Sequence, residues 1–307
     1  MKTLLTVFLL SFLIFCLNVE LTAQNKYNTS FEDANEFTYK TVGDLDLKLW
    51  VYTPSGHKAE NKKPAIIFFF GGGWNAGNPI QFEQHCKYLV YRGMVSVIVD
   101  YRVKTRHKVL ANKCISDAKS AIRWVREHAS ELGVDPDRIA AGGGSAGGHL
   151  AAATAVLPRF DETNENINVS SKPNALVLFN PALVLAPTNF DSEDTQLKEK
   201  LNNMGQRFGA DPLDISPYHN LKSGAPPTII FHGTDDTTVP ISTIQIYCDK
   251  MKELGNKCKL VAYKGEPHGF FNYGKKSNGP FVDTVNKMDK FLVSIGYLKA
   301  PPKSIIK

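Results

Sequence analysis

One serine in this chain is set among glycines. The stretch "DRIAAGGGSAGGHLAAA", Asp137 to Ala153, puts five glycines around Ser145, between an apolar run that reads as a strand and an alanine-rich run that reads as a helix. Gly143, Ser145 and Gly147 form Gly-x-Ser-x-Gly. The pattern alone is weak, but a strand before it and a helix after it make the setting of a nucleophile elbow. In so tight a turn a side chain at either flanking glycine would collide, and the serine is forced into a strained conformation that presents its hydroxyl. A helix starting there also aims free N–H groups and its positive dipole end at the site. A phosphate loop is the competing reading, and no Gly-Lys-Ser/Thr follows to support it.

A serine hydroxyl needs a base, and the base needs a carboxylate to hold it. Of eight histidines, His57 and His107 lie in polar loops, and His85 and His128 on helices. His149 follows Ser145 by one turn, His232 ends a strand, and His219 lies in "SPYHNL". His268, in "GEPHGFFN", differs: it sits on a loop bounded by glycine and proline, after the last strand and before the last helix. Loops at the carboxyl ends of parallel strands meet over one edge of the sheet, which brings His268 to Ser145. The acid is expected on another such loop, and "FHGTDDTTVP" offers Asp235 and Asp236. Acyl transfer also needs donors for a developing oxyanion. "FFFGGGWNAG" places Gly72 and Gly73 after an earlier buried strand, and the N–H of Ala146 joins them.

The surrounding pattern is one of alternation. "PAIIFFFGGG", "MVSVIVDYRV", "RIAAGGG", "NALVLFNPAL" and "PPTIIFHGT" read as buried strands, and "CKLVAYKG" as the last strand. "LDLKLWVYTP" reads as a half-exposed early strand. "SDAKSAIRWVREHASELG", ending at the turn "VDPD", reads as a helix. So do the run after Ser145, "ISTIQIYCDKMKELGN" and "FVDTVNKMDKFLVSIGYL". This predicts an α/β fold, a mostly parallel eight-stranded sheet with helices on both faces. The polar stretch from Pro187 to Lys222 is expected to form a small cap-like insertion facing the substrate.

The 307 residues carry a net charge of +6, with basic and acidic residues interspersed and no dense basic run, so no nucleic-acid partner is indicated. Lys2, the apolar run Leu4–Leu17 and the small residue Ala23 predict a secretory signal peptide over residues 1–23, cleaved near Ala23, leaving one domain over 24–307. The run falls short of the roughly 20 residues of a membrane span, so no stable membrane insertion is expected after cleavage. Bulky Phe15 before Cys16 argues against lipid attachment. The product is expected to be secreted or periplasmic. There Cys86, Cys114, Cys248 and Cys258 either pair as two disulfides or stay as four buried thiols. Cys248 and Cys258 flank one short turn.

Together "FFGGGW", "VDYRV", the long segment from Asp117 to Ala152, "HGTDDTTVP" and "EPHGFFN" resemble the α/β-hydrolase superfamily. The closer resemblance is to its esterase/lipase branch, related to hormone-sensitive lipase and to bacterial acetyl-xylan-esterase-like hydrolases. It covers roughly Pro64 to Leu298. In that family the acid is the fifth residue of His-Gly-x-x-Asp-x-x-Val-Pro, here Asp236, and the oxyanion glycines fall on Gly72 and Gly73. One departure stands out: many relatives have histidine where this chain has Phe70, so the side-chain support of the oxyanion loop differs while its backbone donors remain.

The resemblance implies a serine hydrolase with Ser145, Asp236 and His268 as its triad, needing no metal or organic cofactor. Export points to an extracellular polymer or its fragments, and the resemblance to removal of acetyl groups from polysaccharide or oligosaccharide. A hydroxycinnamoyl or general short-chain carboxylesterase is the near alternative. A peptidase or a noncatalytic binding protein on the same fold lies further off. Trp74, beside the oxyanion loop, is expected either to wall the substrate site or to join the core.

Overall fold

A computed structural model of the chain describes residues 30–188, 199, 201 and 203–300. The chain divides into two units, Met1–Glu32 and Asp33–Lys307. The signal peptide expected over residues 1–23 lies outside the described residues.

The second unit is built on one eight-stranded sheet. Its strands are β1 (Asn35–Val42), β2 (Leu45–Tyr52), β3 (Lys63–Phe69), β4 (Val95–Val99), β5 (Val134–Gly144), β6 (Ala175–Phe179), β7 (Thr228–Gly233) and β8 (Cys258–Tyr263). Their order across the sheet is β1-β2-β4-β3-β5-β6-β7-β8. The β1/β2 and β2/β4 pairs are antiparallel, and the other pairs run parallel. The longer helices are α1 (Glu83–Tyr91), α2 (Ala111–Glu127), α3 (Ala146–Val156), α4 (Ile241–Glu253) and α5 (Gly279–Ser294).

The apolar runs become strands because both of their faces are covered. On β3, Ile67 and Phe69 join the cluster that holds Ile115 and Ala118 of α2 and Leu150 of α3. Phe68 points the other way, stacking on Phe82 at 4.7 Å and lying beside His85 of α1, which in turn meets Phe281 of α5. Each fully buried phenylalanine of this kind contributes about 1.5–3 kcal/mol. Helix α3 is buried along nearly its whole length, which explains its uniformly small, apolar composition.

Some boundaries differ from the sequence reading. β1 was not foreseen; its pattern is mostly exposed and carries no clean alternation. The "VDPD" turn instead opens β5, paired with β3 through a register shift. α2 begins at Ala111 and ends at Glu127, earlier at both ends than its apolar period suggests. All four described cysteines are free thiols, three of them buried. Cys248 and Cys258 lie in hydrogen-bond contact with each other.

The chain order reverses across β4-β3-β5. β3 is followed by a crossover to one side and then by one to the other. In open sheets the crevice outside such a switch point is where ligands bind. Here the "GGGW" loop leaves β3 and the serine turn leaves β5, side by side.

Candidate active site

Ser145 is the first residue past β5 and precedes the first residue of α3. Its backbone sits at φ 53°, ψ −117°, a conformation that L-residues rarely adopt. Three fixed contacts hold it there. Its N–H donates to Phe179 O at 2.8 Å, and its carbonyl accepts from His149 N at 2.9 Å and Ala182 N at 3.4 Å. The glycines around it are required by space. A Cβ on Gly147 would stand 2.0 Å from Phe69 O, and one on Gly143 would stand 2.4 Å from Gly147 C.

Asp236 and His268 come together from the loops after β7 and β8. His268 Nδ1 lies 2.7 Å from Asp236 Oδ2, so the ionised carboxylate accepts a hydrogen bond from Nδ1–H, which keeps the proton on Nδ1 and leaves Nε2 as the free ring nitrogen. The other carboxylate oxygen accepts from the N–H groups of Thr238 (2.9 Å) and Val239 (2.8 Å). Burial pushes the Asp236 carboxyl up, but the His268 hydrogen bond, the Val239 N–H and the nearby imidazoles outweigh it and hold the group below its ordinary value. Asp235, the neighbour left open by its residue type, is exposed, and among the described residues its carboxylate accepts only from Thr234 Oγ1. His232 lies 3.4 Å from Asp236 Oδ2 but donates Nε2–H to Val239 O. Its burial lowers its pKa and keeps it neutral.

One member of this cluster carried no sequence signal. Asn180, fully buried and just past β6, adopts φ 43°. Its Nδ2 donates to Asp236 Oδ2 at 3.0 Å, and its Oδ1 accepts from Gly269 N at 3.2 Å. It therefore fixes Asp236 and the His268 loop at once. An asparagine between a strand and a proline is a faint signal by itself, since Asn tolerates left-handed backbone wherever a turn is needed.

On the oxyanion loop, Gly72 takes φ +126° and Gly73 φ +62°. A Cβ on Gly72 would stand 2.1 Å from Ala76 O. Among the described residues no hydrogen bond occupies the N–H of Gly72 or Gly73. The N–H of Ala146, as the first residue of a helix, has no intrahelical acceptor. Gly71 N–H is already taken, donating to Gln81 Oε1 at 2.7 Å. Gln81 Nε2 in turn donates to Asn272 Oδ1 at 2.8 Å, and Asn272 Nδ2 to Gly269 O at 2.8 Å. Two side-chain amides thus tie the oxyanion loop to the histidine loop, a link that neither residue's local sequence announces. Phe70 takes a different supporting role from a histidine. Its ring stacks on Tyr101 at 4.1 Å, and the Tyr101 hydroxyl donates to Phe70 O at 2.6 Å.

Two cavities meet at Ser145. One, of about 530 Å³, is bordered by Trp74, Ala146, Ala182, Met204 and Val239. The other, of about 670 Å³, runs past Gly72, Gly73 and His268. Trp74 fulfils both expectations made of it. It is buried, edge-on to Phe208, and its Nε1–H donates to His149 Nδ1 at 3.1 Å while its surface walls the first cavity. His149 packs in the core, with Nε2 donating to Ile215 O; burial pushes its pKa down to about 4, so it stays neutral. Glu199, Asn203, Met204 and Arg207 of the expected insertion border the first cavity; residues 189–198, 200 and 202 lie outside the described residues.

The sheet order and the serine turn define the α/β-hydrolase fold of the esterase/lipase branch. The chain belongs to the BD-FAE family, whose model matches residues 49–251. Solved relatives agree. The butyrate-bound esterase 2 of Thermogutta terrifontis is 46% identical, with a TM-score of 0.85 over 90% of this chain and 99% of that one. Among curated relatives, a probable isoprenylcysteine alpha-carbonyl methylesterase of Arabidopsis thaliana is 30% identical over 72% of this chain and 48% of its own. An acetylxylan esterase of Xylanibacter ruminicola is 25% identical over 78% of this chain and 47% of its own. The chain spans about half the length of these curated relatives. Among the described residues no helix is long and apolar enough to cross a membrane.

Proposed function

We propose that the protein is an exported serine carboxylesterase that removes short acyl groups, acetyl foremost, from a carbohydrate ester. The observation that carries this reading is the strained backbone of Ser145, beside a cavity that it shares with His268, whose Nδ1 is held at 2.7 Å by Asp236. In this mechanism Ser145 Oγ attacks the ester carbonyl and His268 Nε2 takes the hydroxyl proton. Asp236 stabilises the imidazolium without taking a proton. The tetrahedral oxyanion accepts hydrogen bonds from the N–H groups of Gly72, Gly73 and Ala146, and loss of one such donor costs about 3 kcal/mol. The intermediate collapses, the C–O bond to the alcohol breaks, and His268 returns its proton to the leaving oxygen. Water then attacks the acyl group on Ser145 with the same histidine as base and frees the acid.

The neighbours support the substrate class. Esterase 2 of Thermogutta terrifontis has been solved with propionate and with butyrate bound, and one curated relative is an acetylxylan esterase. The apolar side of the first cavity, formed by Trp74, Ala146, Ala182 and Val239, suits a small acyl group, while Glu199, Asn203 and Arg207 line the rest.

The test is hydrolysis of nitrophenyl acetate, butyrate and octanoate, acetylated xylo-oligosaccharides and methyl ferulate, with Ser145→Ala beside the wild type. Turnover of the acetyl esters, highest on the oligosaccharide and lowered by about six orders of magnitude in the variant, is expected. Preference for the ferulate moves the reading to a hydroxycinnamoyl esterase, and turnover that survives Ser145→Ala removes the serine mechanism. N-terminal sequencing of the exported protein checks cleavage near Ala23.

A further inference from the structure

The two cavities at Ser145 share Arg207 but differ in charge, since Glu199 also borders the smaller one. The larger one, of about 670 Å³, is bordered by Arg207 and Lys275 and by no aspartate or glutamate. The two cations come from different segments of the lining. Arg207 Nη1 lies 3.3 Å from where a Cβ on Gly73 would stand, over the oxyanion loop. Lys275 Nζ lies 3.6 Å from where a Cβ on Gly269 would stand, beside the residue that follows His268. Among the described residues neither side chain is in an ion pair, whereas Lys276, next along the chain, is matched by Glu266 at 2.7 Å and Arg106 by Asp100 at 3.0 Å. The rest of the lining is rich in neutral amides, among them Asn75, Asn78, Gln81 and Asn272.

Chemistry decides which part of a substrate enters this groove. His268 must hand its proton to the leaving oxygen, so the alcohol departs along the wall that His268 begins. That wall continues through Gly269 and Asn272 to Lys275. We propose that this groove is an alcohol subsite for esters whose alcohol part carries a carboxylate, as an acidic sugar unit or a hydroxyaromatic acid does. The amides meet its hydroxyl groups, and Arg207 and Lys275 meet its charge. A groove lined by one sign of charge also concentrates oppositely charged substrate and speeds its arrival. The inference rests on the esterase reading above and adds the class of alcohol to it.

The test compares kcat/KM for 3-acetoxybenzoate and 3-acetoxybenzamide, two acetyl esters of like shape whose alcohols differ in charge. Each value is divided by the ester's own rate of hydroxide hydrolysis. The expected ratio favours the carboxylate by about tenfold at low salt and falls toward one at high salt. Lys275→Gln and Arg207→Gln each lower the ratio by about threefold, the range of a single exposed charge contact, while Lys275→Arg keeps it. Both side chains are exposed, and an unchanged melting temperature checks that each variant folds. A ratio of one or less, or a ratio that neither substitution moves, overturns the subsite while turnover of the benzamide leaves the esterase reading standing. Absence of turnover on both esters overturns the esterase reading and the subsite with it.

Discussion

Asp117 and Asp236 both bury their carboxylates completely, yet they are held in different ways. Asp117 is surrounded by permanent cations. Arg102 grips both of its oxygens, at 2.7 and 2.8 Å, and Lys40 Nζ sits at 2.8 Å. The same layer continues through Lys40–Glu162, Lys119–Asp161 and Arg123–Asp161, joining β1, α2 and the segment after α3. Among the described residues Asp236 has no permanent cation beside it. Two backbone N–H groups and the amide of Asn180 hold it, and its one titrating hydrogen-bond partner is His268. A carboxylate matched by fixed cations is locked in one state. One held by neutral dipoles stays available to a charge that comes and goes, as the proposed imidazolium does during turnover.

Exchange of either group breaks this contrast in its own direction. Asp236→Asn keeps the shape but presents the wrong hydrogen-bonding partner to His268. The expected loss is about 10⁴ in kcat, with a nearly unchanged melting temperature, read by steady-state kinetics beside thermal unfolding. Asp117→Ala does the reverse. It leaves Arg102, among the described residues, with only the longer Glu162 contact at 3.7 Å and is expected to destabilise the fold by about 3–5 kcal/mol, measured by denaturant unfolding. Refolded enzyme that does assemble retains its pH–rate profile.

Two smaller effects sharpen the comparison. Asn180→Ala removes one neutral donor to a charged group, worth about 1.5–3 kcal/mol. The expected outcome is a fall of roughly ten- to a hundredfold in kcat, KM changing little, with Asn180→Ser recovering part of it. In the ionic layer the acid limb of stability is expected to track Glu162. Burial pushes its carboxyl up, but hydrogen bonds from Lys40 and Ser116 outweigh that and bring it from 4.5 down to about 2. The unfolded chain therefore binds the extra proton first, so this contribution is complete above pH 4.5 and is lost as pH falls toward 2. Glu162→Gln should flatten the unfolding midpoint across that window, and a midpoint as steep as wild type would place the acid sensitivity elsewhere.

Much of the sheet was legible because its strands are continuous apolar runs ended by glycine or proline. The serine turn was legible because its demand for small residues is written in consecutive positions. His268 could be named because loops after parallel strands converge on one edge; the same rule narrowed the acid to Asp235 or Asp236, and the family resemblance chose Asp236. Asn180 could not be, since its role comes from the placing of β6 beside β7 and not from any local spacing. Gln81 and Asn272 are similarly mute, each an ordinary polar residue until the fold sets them 2.8 Å apart. The ionic layer around Asp117 was hidden for the opposite reason. Charges interspersed along a chain look like a solvated surface, and only the tertiary structure buries Asp117, Lys119 and Arg123.

The amide bridge between Gln81 and Asn272 also sets an order of events. It joins positions 191 residues apart, and the segment that closes it follows the last strand of the sheet. During synthesis the serine turn leaves the ribosome long before its histidine does. Chain closure between such distant points is slow compared with local folding. A chain cut short before β8 keeps the serine turn in its sequence yet lacks both His268 and the Asn272 tether of the Gly71–Gly73 loop. On the proposed mechanism, reactivity is thereby deferred to the last stage of assembly.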